Sequence, residues 1–97
     1  MSKTNSTMPL RTRFARNLRA CRVRQGISQE HLASLAGFSR TFVSDVERET
    51  RNCSIDNIER LANALKLDVS ALFEPVADDA DLPEVLPKGP RRNRTGT

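Results

Sequence analysis

The side chains with the clearest chemical purpose in this sequence lie between positions 39 and 52. Ser39, Arg40, Thr41, Ser44 and Arg48 are hydrogen-bonding residues placed on the outward positions of a helix running from Arg40 to about Arg48. A guanidinium presented on such a helix can bond two atoms of a guanine edge, worth about 1–3 kcal/mol of discrimination against other bases. Arg40, at the helix start, is the first choice for that contact. Thr41 can bond a base or a phosphate and touch a thymine methyl, and Ser44 offers a short hydroxyl one turn further on. Phe42 fits either the interior or the edge, where it would meet a thymine methyl or the sugar-phosphate. Asp45 suits the rim, or acceptance from a cytosine amino group. Gln29 stands at the start of a preceding helix, where backbone N–H groups favour an anion, and Thr50, Arg51 and Asn52 form a polar loop suited to phosphate. The chemistry these residues suit is recognition of double-stranded DNA.

Other chemistries find less support. Cys21 and Cys53 are separated by 32 positions, with no CxxC spacing and a single histidine, His31, which is no zinc arrangement. They read as small, mostly buried hydrophobes. Asp78, Asp79, Asp81 and Glu84 form an acidic cluster in a segment without periodicity, which cannot hold the geometry that acid–base or metal chemistry needs. There is no Gly-rich phosphate loop and no nucleophile–base spacing, so the expectation is a protein that is not an enzyme, with no cofactor and no metal.

Charge is distributed unevenly along the 97 residues, whose net charge is +4. Residues 9–54 hold nine Lys/Arg against four Asp/Glu. Residues 75–87 carry four acids and no base, and residues 88–97 four bases and no acid. The positive stretch coincides with the candidate DNA-facing helices. Arg11, Arg13, Arg16, Arg19 and Arg24 of the first helix chiefly raise the local potential, with some in reach of phosphates. No apolar run is long enough to span a membrane, and no signal-peptide core follows the N-terminus, so the expected location is cytoplasmic.

The elements that must position these groups are helices; period-2 alternation is absent. A first helix runs from about Leu10 to Gln25, with Leu10, Phe14, Leu18 and Cys21 as one stripe, Pro9 at its start and Gly26 at its stop. Arg22 falls on that apolar stripe and therefore needs a partner. A second helix is capped by Ser28, in a capping box left incomplete by His31, with Leu32 and Leu35 inward and Gly37 at its end. A third, capped by Ser39, turns Val43 and Val46 inward, and Glu47, four residues after Val43, points the same way as a partner for Arg22. A fourth, capped by Ser54, runs from Ile55 to about Lys66 on a stripe of Ile58, Leu61, Ala62 and Leu65. A fifth, Val69 to Phe73, is capped by Asp68 and stopped by Pro75, with Val69, Leu72 and Phe73 closing the core.

Residues 29–48, QEHLASLAGFSRTFVSDVER, meet the steric demands of a helix-turn-helix. Ala33 is small where two helices cross, Gly37 tolerates positive φ at the turn, and Leu32, Val43 and Val46 supply the inward aliphatic positions. Residues 14–73 resemble the lambda-repressor-like, Xre-type helix-turn-helix family through RQGISQEHLA, SRTFVSDVER and NIERLANALKLDVSALF, and SRTFVSDVERETRN is similar to the controller proteins of restriction–modification systems. The resemblance implies an all-α, compact five-helix DNA-binding domain and a transcriptional regulator. It also implies an internal Arg22–Glu47 pair and a Gln29 that contacts the DNA backbone and braces the recognition helix.

The expected organisation is a disordered arm (1–8), a DNA-binding domain (9–74) and a disordered charged tail (75–97). One domain of this size reads few base pairs, so a homodimer on a pseudo-palindromic operator is expected, built on helices four and five through residues such as Ile55, Asn57, Leu67, Val69 and Leu72. The alternative is an antitoxin or adaptor that binds a protein partner through the tail and uses DNA binding for autoregulation.

Overall fold

A computed structural model describes residues 8–76. Four α-helices are present among them, α1 (Leu10–Arg24), α2 (Gln29–Ala36), α3 (Arg40–Glu47) and α4 (Ile55–Ala64), followed by a 3-10 helix, Val69–Phe73. No strand occurs among the described residues. The expected arm, the acidic cluster, and the protein partner assigned to the charged tail rest on residues outside the described ones, apart from residues 8, 75 and 76.

Serine begins three of the helices for the same physical reason. Each hydroxyl accepts an amide that the first helical turn would otherwise leave unpaired: Ser28 from His31 N at 2.9 Å, Ser39 from Phe42 N at 3.0 Å and Ser54 from Asn57 N at 3.0 Å. Such a cap is worth about 1 kcal/mol. α1 lacks one; Pro9 occupies its cap position, just outside the helix.

The core is a single cluster of Phe14, Leu18, Leu32, Val43, Val46, Leu61, Leu65 and Leu72 with small residues between them. α2 lies against α3 and α4, and α1 packs on α3 and the 3-10 helix. Three expectations are corrected. Leu35 is 54% exposed, not inward. Leu32, Ala33 and Ala36 form the buried arc of α2, and at about 100° per residue position 35 falls roughly 105° from its centre. Leu10 (60% exposed) lies beyond the end of the core, and Val69 (37%) faces out while Leu72 is fully enclosed and Phe73 stacks on Phe14 at 5.5 Å.

The expected fifth α-helix is a 3-10 helix, so the domain has four α-helices rather than five. Asp68 starts it by accepting from Ser70 N and Ser70 Oγ, bonds that hold its carboxyl below the usual range. Pro75 forces Glu74 into an extended conformation and ends it after five residues. Cys21 is buried and Cys53 half-buried, and burial pushes the Cys53 thiol up.

Arg22 and Glu47 form the expected pair. Nε meets Oε2 at 2.7 Å and Nη2 meets Oε1 at 3.0 Å, with the side chains 11% and 4% exposed. Nη1 of Arg22 also donates to Ile27 O at 2.9 Å. Removing one member of such a pair strands the other charge away from water. Glu47→Ala should therefore cost about 3–5 kcal/mol, and lower the midpoint of a thermal melt by more than about 10 °C. An unchanged melt would show that the pair holds nothing in place.

Candidate nucleic-acid interface

α3 presents two unlike faces because its apolar and polar residues are out of phase. Val43 and Val46 are buried at 0% and 2%, while Arg40 and Thr41 stand exposed and Ser44 is half-exposed. Ser39 is exposed with its hydroxyl committed to the cap. Arg48 lies one residue past the last turn and is exposed.

The turn before α3 is built around Gly37, whose φ of +81° suits glycine. A Cβ there would stand 2.6 Å from Arg60 Nη2. That guanidinium reaches over from α4 and donates to Ala36 O (2.9 Å from Nη2) and Gly37 O (3.0 Å), satisfying carbonyls that the end of α2 leaves open. It also lies 4.2 Å over the ring of Phe38. Phe38 and Phe42 are 4.5 Å apart, and Arg51 lies 5.4 Å over Phe42. Phe42 is thus half-buried in a continuous stack, between the two positions its sequence allowed.

Gln29 turns its amide toward the interior and donates to Glu47 Oε1 at 3.0 Å. It therefore joins the Arg22–Glu47 pair and ties the start of α2 to the end of α3. The loop after α3 folds back sharply. Glu49 takes a φ of +66°, unusual for a residue with a side chain, and accepts from Thr12 Oγ1 at 2.7 Å. Both Thr50 N (3.0 Å) and Thr50 Oγ1 (3.1 Å) donate to Asp45 O. The Asp45 carboxylate meets Arg48 at 3.0 Å and Arg51 at 3.5 Å. Asn52 accepts from Arg11 Nη2, which brings the start of α1 beside the loop.

The structure therefore gathers Ser39, Arg40, Thr41, Ser44 and Arg48 on or beside α3, and Thr50, Arg51 and Asn52 on the loop that follows it. Three residues gain roles that sequence reasoning did not give them: Arg11 on Asn52, Arg60 on the turn, and Asp45 as the centre of the loop. Only the i,i+3 spacing of Asp45 and Arg48 was open to view in the sequence. Each acid from position 45 to 49 is engaged by a donor, so this face carries no bare carboxylate.

Away from α3, Ile55 is 82% exposed, and it borders a groove of about 340 Å³ with Ile58, Glu59, Val69 and Phe73. Of the residues expected at a dimer surface, Leu72 is fully buried in its own core, Asn57 and Leu67 are half-buried, and Ile55 and Val69 remain outward. No helix among the described residues is long and apolar enough to cross a membrane.

The helix-turn-helix family profile matches residues 18–72, which contain every element from the second half of α1 to Leu72. The chain is 46% identical over 66 residues to a hypothetical transcription factor of Neisseria meningitidis, a match covering 68% of this chain and 62% of that protein. The crystal structure of the restriction–modification controller protein C.AhdI from Aeromonas hydrophila superposes with a TM-score of 0.63 at 44% identity, over 65% of this chain and 96% of that one. The controller protein C.Esp1396I, crystallised as a tetramer with its natural 35 base-pair operator, superposes with a TM-score of 0.64 at 27% identity, over 68% of this chain and 87% of that one. With its tight glycine turn, its divided α3 and these relatives, the chain belongs to the helix-turn-helix family, in its lambda-repressor-like, Xre-type form, and is similar to restriction–modification controller proteins.

Proposed function

We propose that the chain binds double-stranded DNA sequence-specifically, as a homodimeric bacterial transcriptional regulator in the cytoplasm, with α3 in the major groove. The division of α3 carries this reading: its aliphatic face is closed into the core while Arg40 and Thr41 face solvent. A major groove about 12 Å wide admits a helix of this kind. Arg40 bonds a guanine, and Thr41 and Ser44 meet neighbouring bases, with Phe42 at the edge. Arg48, Thr50, Arg51 and Asn52 line the backbone side, where contacts set register more than sequence, with Ser39 and Gln29 at the starts of α3 and α2 beside them. The operator complex of C.Esp1396I, a tetramer on its 35 base-pair operator, supports operator binding by an oligomer.

A two-fold partner would double the few base pairs that one domain reads, on half-sites about one helical turn, roughly 34 Å, apart. The apolar surface around Ile55 and Val69 supports a self-complementary contact there, which a two-fold axis requires.

Two outcomes are expected. The logarithm of the affinity for the preferred duplex should fall linearly with the logarithm of salt concentration, with a slope of about 0.9 per phosphate contacted. Arg40→Ala should weaken that affinity by about tenfold or more, with its melt unchanged; retained sequence-specific binding would remove Arg40 from the readout. Separately, Ile55→Lys should convert a dimer to a monomer in sedimentation velocity. A variant that sediments like the parent would move the interface elsewhere.

A further inference from the structure

Asp45 organises the loop after α3 with both its backbone and its side chain. Its carbonyl accepts the amide and the hydroxyl of Thr50. Its carboxylate, 21% exposed, meets Arg48 and Arg51, whose side chains are 67% and 50% exposed. Arg51 is held a second time by the ring of Phe42 beneath it. Exposed ion pairs of this kind add little to folding, so the fold alone gives little reason for a carboxylate at this position.

The position matters for another reason. Asp45 follows Thr41 by four residues and so lies one turn further along the same side of α3. A carboxylate there, if unpaired, would repel phosphate. Two unpaired arginines beside it would attract any duplex, whatever its sequence. Joined, the three side chains carry a net charge of +1, and each guanidinium is biased toward one position before DNA arrives. Side chains ordered in advance lose less freedom on binding, provided that the duplex presents its phosphates where they already point.

We infer that Asp45 is a specificity-determining positioning residue: it aims Arg48 and Arg51 at the backbone of a correctly docked operator and removes half of their attraction for DNA of any other sequence. This rests on the DNA-binding reading proposed above. Specificity is a difference of affinities, and Asp45 acts on both sides of it.

The test uses the full chain and two duplexes, the site that it selects from a random pool and a scrambled version of that site. Asp45→Asn has the same shape and one negative charge fewer. It should bind the scrambled duplex more tightly and its selected site no more tightly, lowering the ratio of the two affinities by about two- to fivefold. Arg51→Gln should also lower the ratio, and adding Asp45→Asn to it should lower it little further. A purely electrostatic role would strengthen both affinities equally, and a purely structural one would lower the melt and weaken both equally. Either result, or additive losses in the double variant, overturns the proposal. A parent chain that selects no sequence at all overturns the DNA-binding reading, and this proposal with it.

Discussion

How α3 sits on the rest of the domain depends on one buried ion pair. Burial of Val43 and Val46 is a non-directional attraction, and it leaves a short helix free to rotate or slide. The Arg22–Glu47 contact is directional. A planar guanidinium meets both oxygens of one carboxylate. Arg22 is further tied to Ile27 O, and Glu47 to the amide of Gln29. One carboxylate thereby joins α1, the start of α2 and the end of α3. Buried charge is poor evidence of net stability, but it is costly to satisfy in more than one arrangement. In this domain the arrangement that satisfies it turns Arg40 and Thr41 outward.

A second set of contacts governs the turn and the loop on either side of α3. Arg60 closes the end of α2, and from its guanidinium a stack runs through Phe38 and Phe42 to Arg51. The stack links α4, which carries the exposed Ile55, to the loop expected to meet phosphate. In the proposed dimer the same helix would set the spacing of two reading heads and brace the turn of each.

Much of this was legible in the sequence because it depends on local rules. Ser28, Ser39, Ser54 and Asp68 cap as expected, since a cap needs only a side-chain oxygen and an amide two or three residues on. Arg22 and Glu47 could be paired because each placed a charge on an otherwise apolar stripe. The failures were of two kinds. Burial differs from residue type at Leu35 and Val69, in elements too short for the pattern to fix which arc is buried, and at Leu10, whose place in the first turn of α1 lies past the end of the core. The expected fifth α-helix became a 3-10 helix because Pro75 left it no room. The contacts of Arg11 with Asn52 and of Arg60 with the turn join residues 41 and about two dozen positions apart, and no periodicity connects them. The family resemblance supplied the Gln29 brace, which the residues alone did not.

Whether α3 reads base edges in the major groove is decided by methylation interference on the duplex that the chain selects from a random pool. Methyl groups on guanine N7 lie in the major groove, where Arg40 would bond. Interference is expected at guanines in two related half-sites about 10 base pairs apart, centre to centre. A selected duplex whose binding is indifferent to N7 methylation, or a pool from which no sequence is enriched, would contradict it.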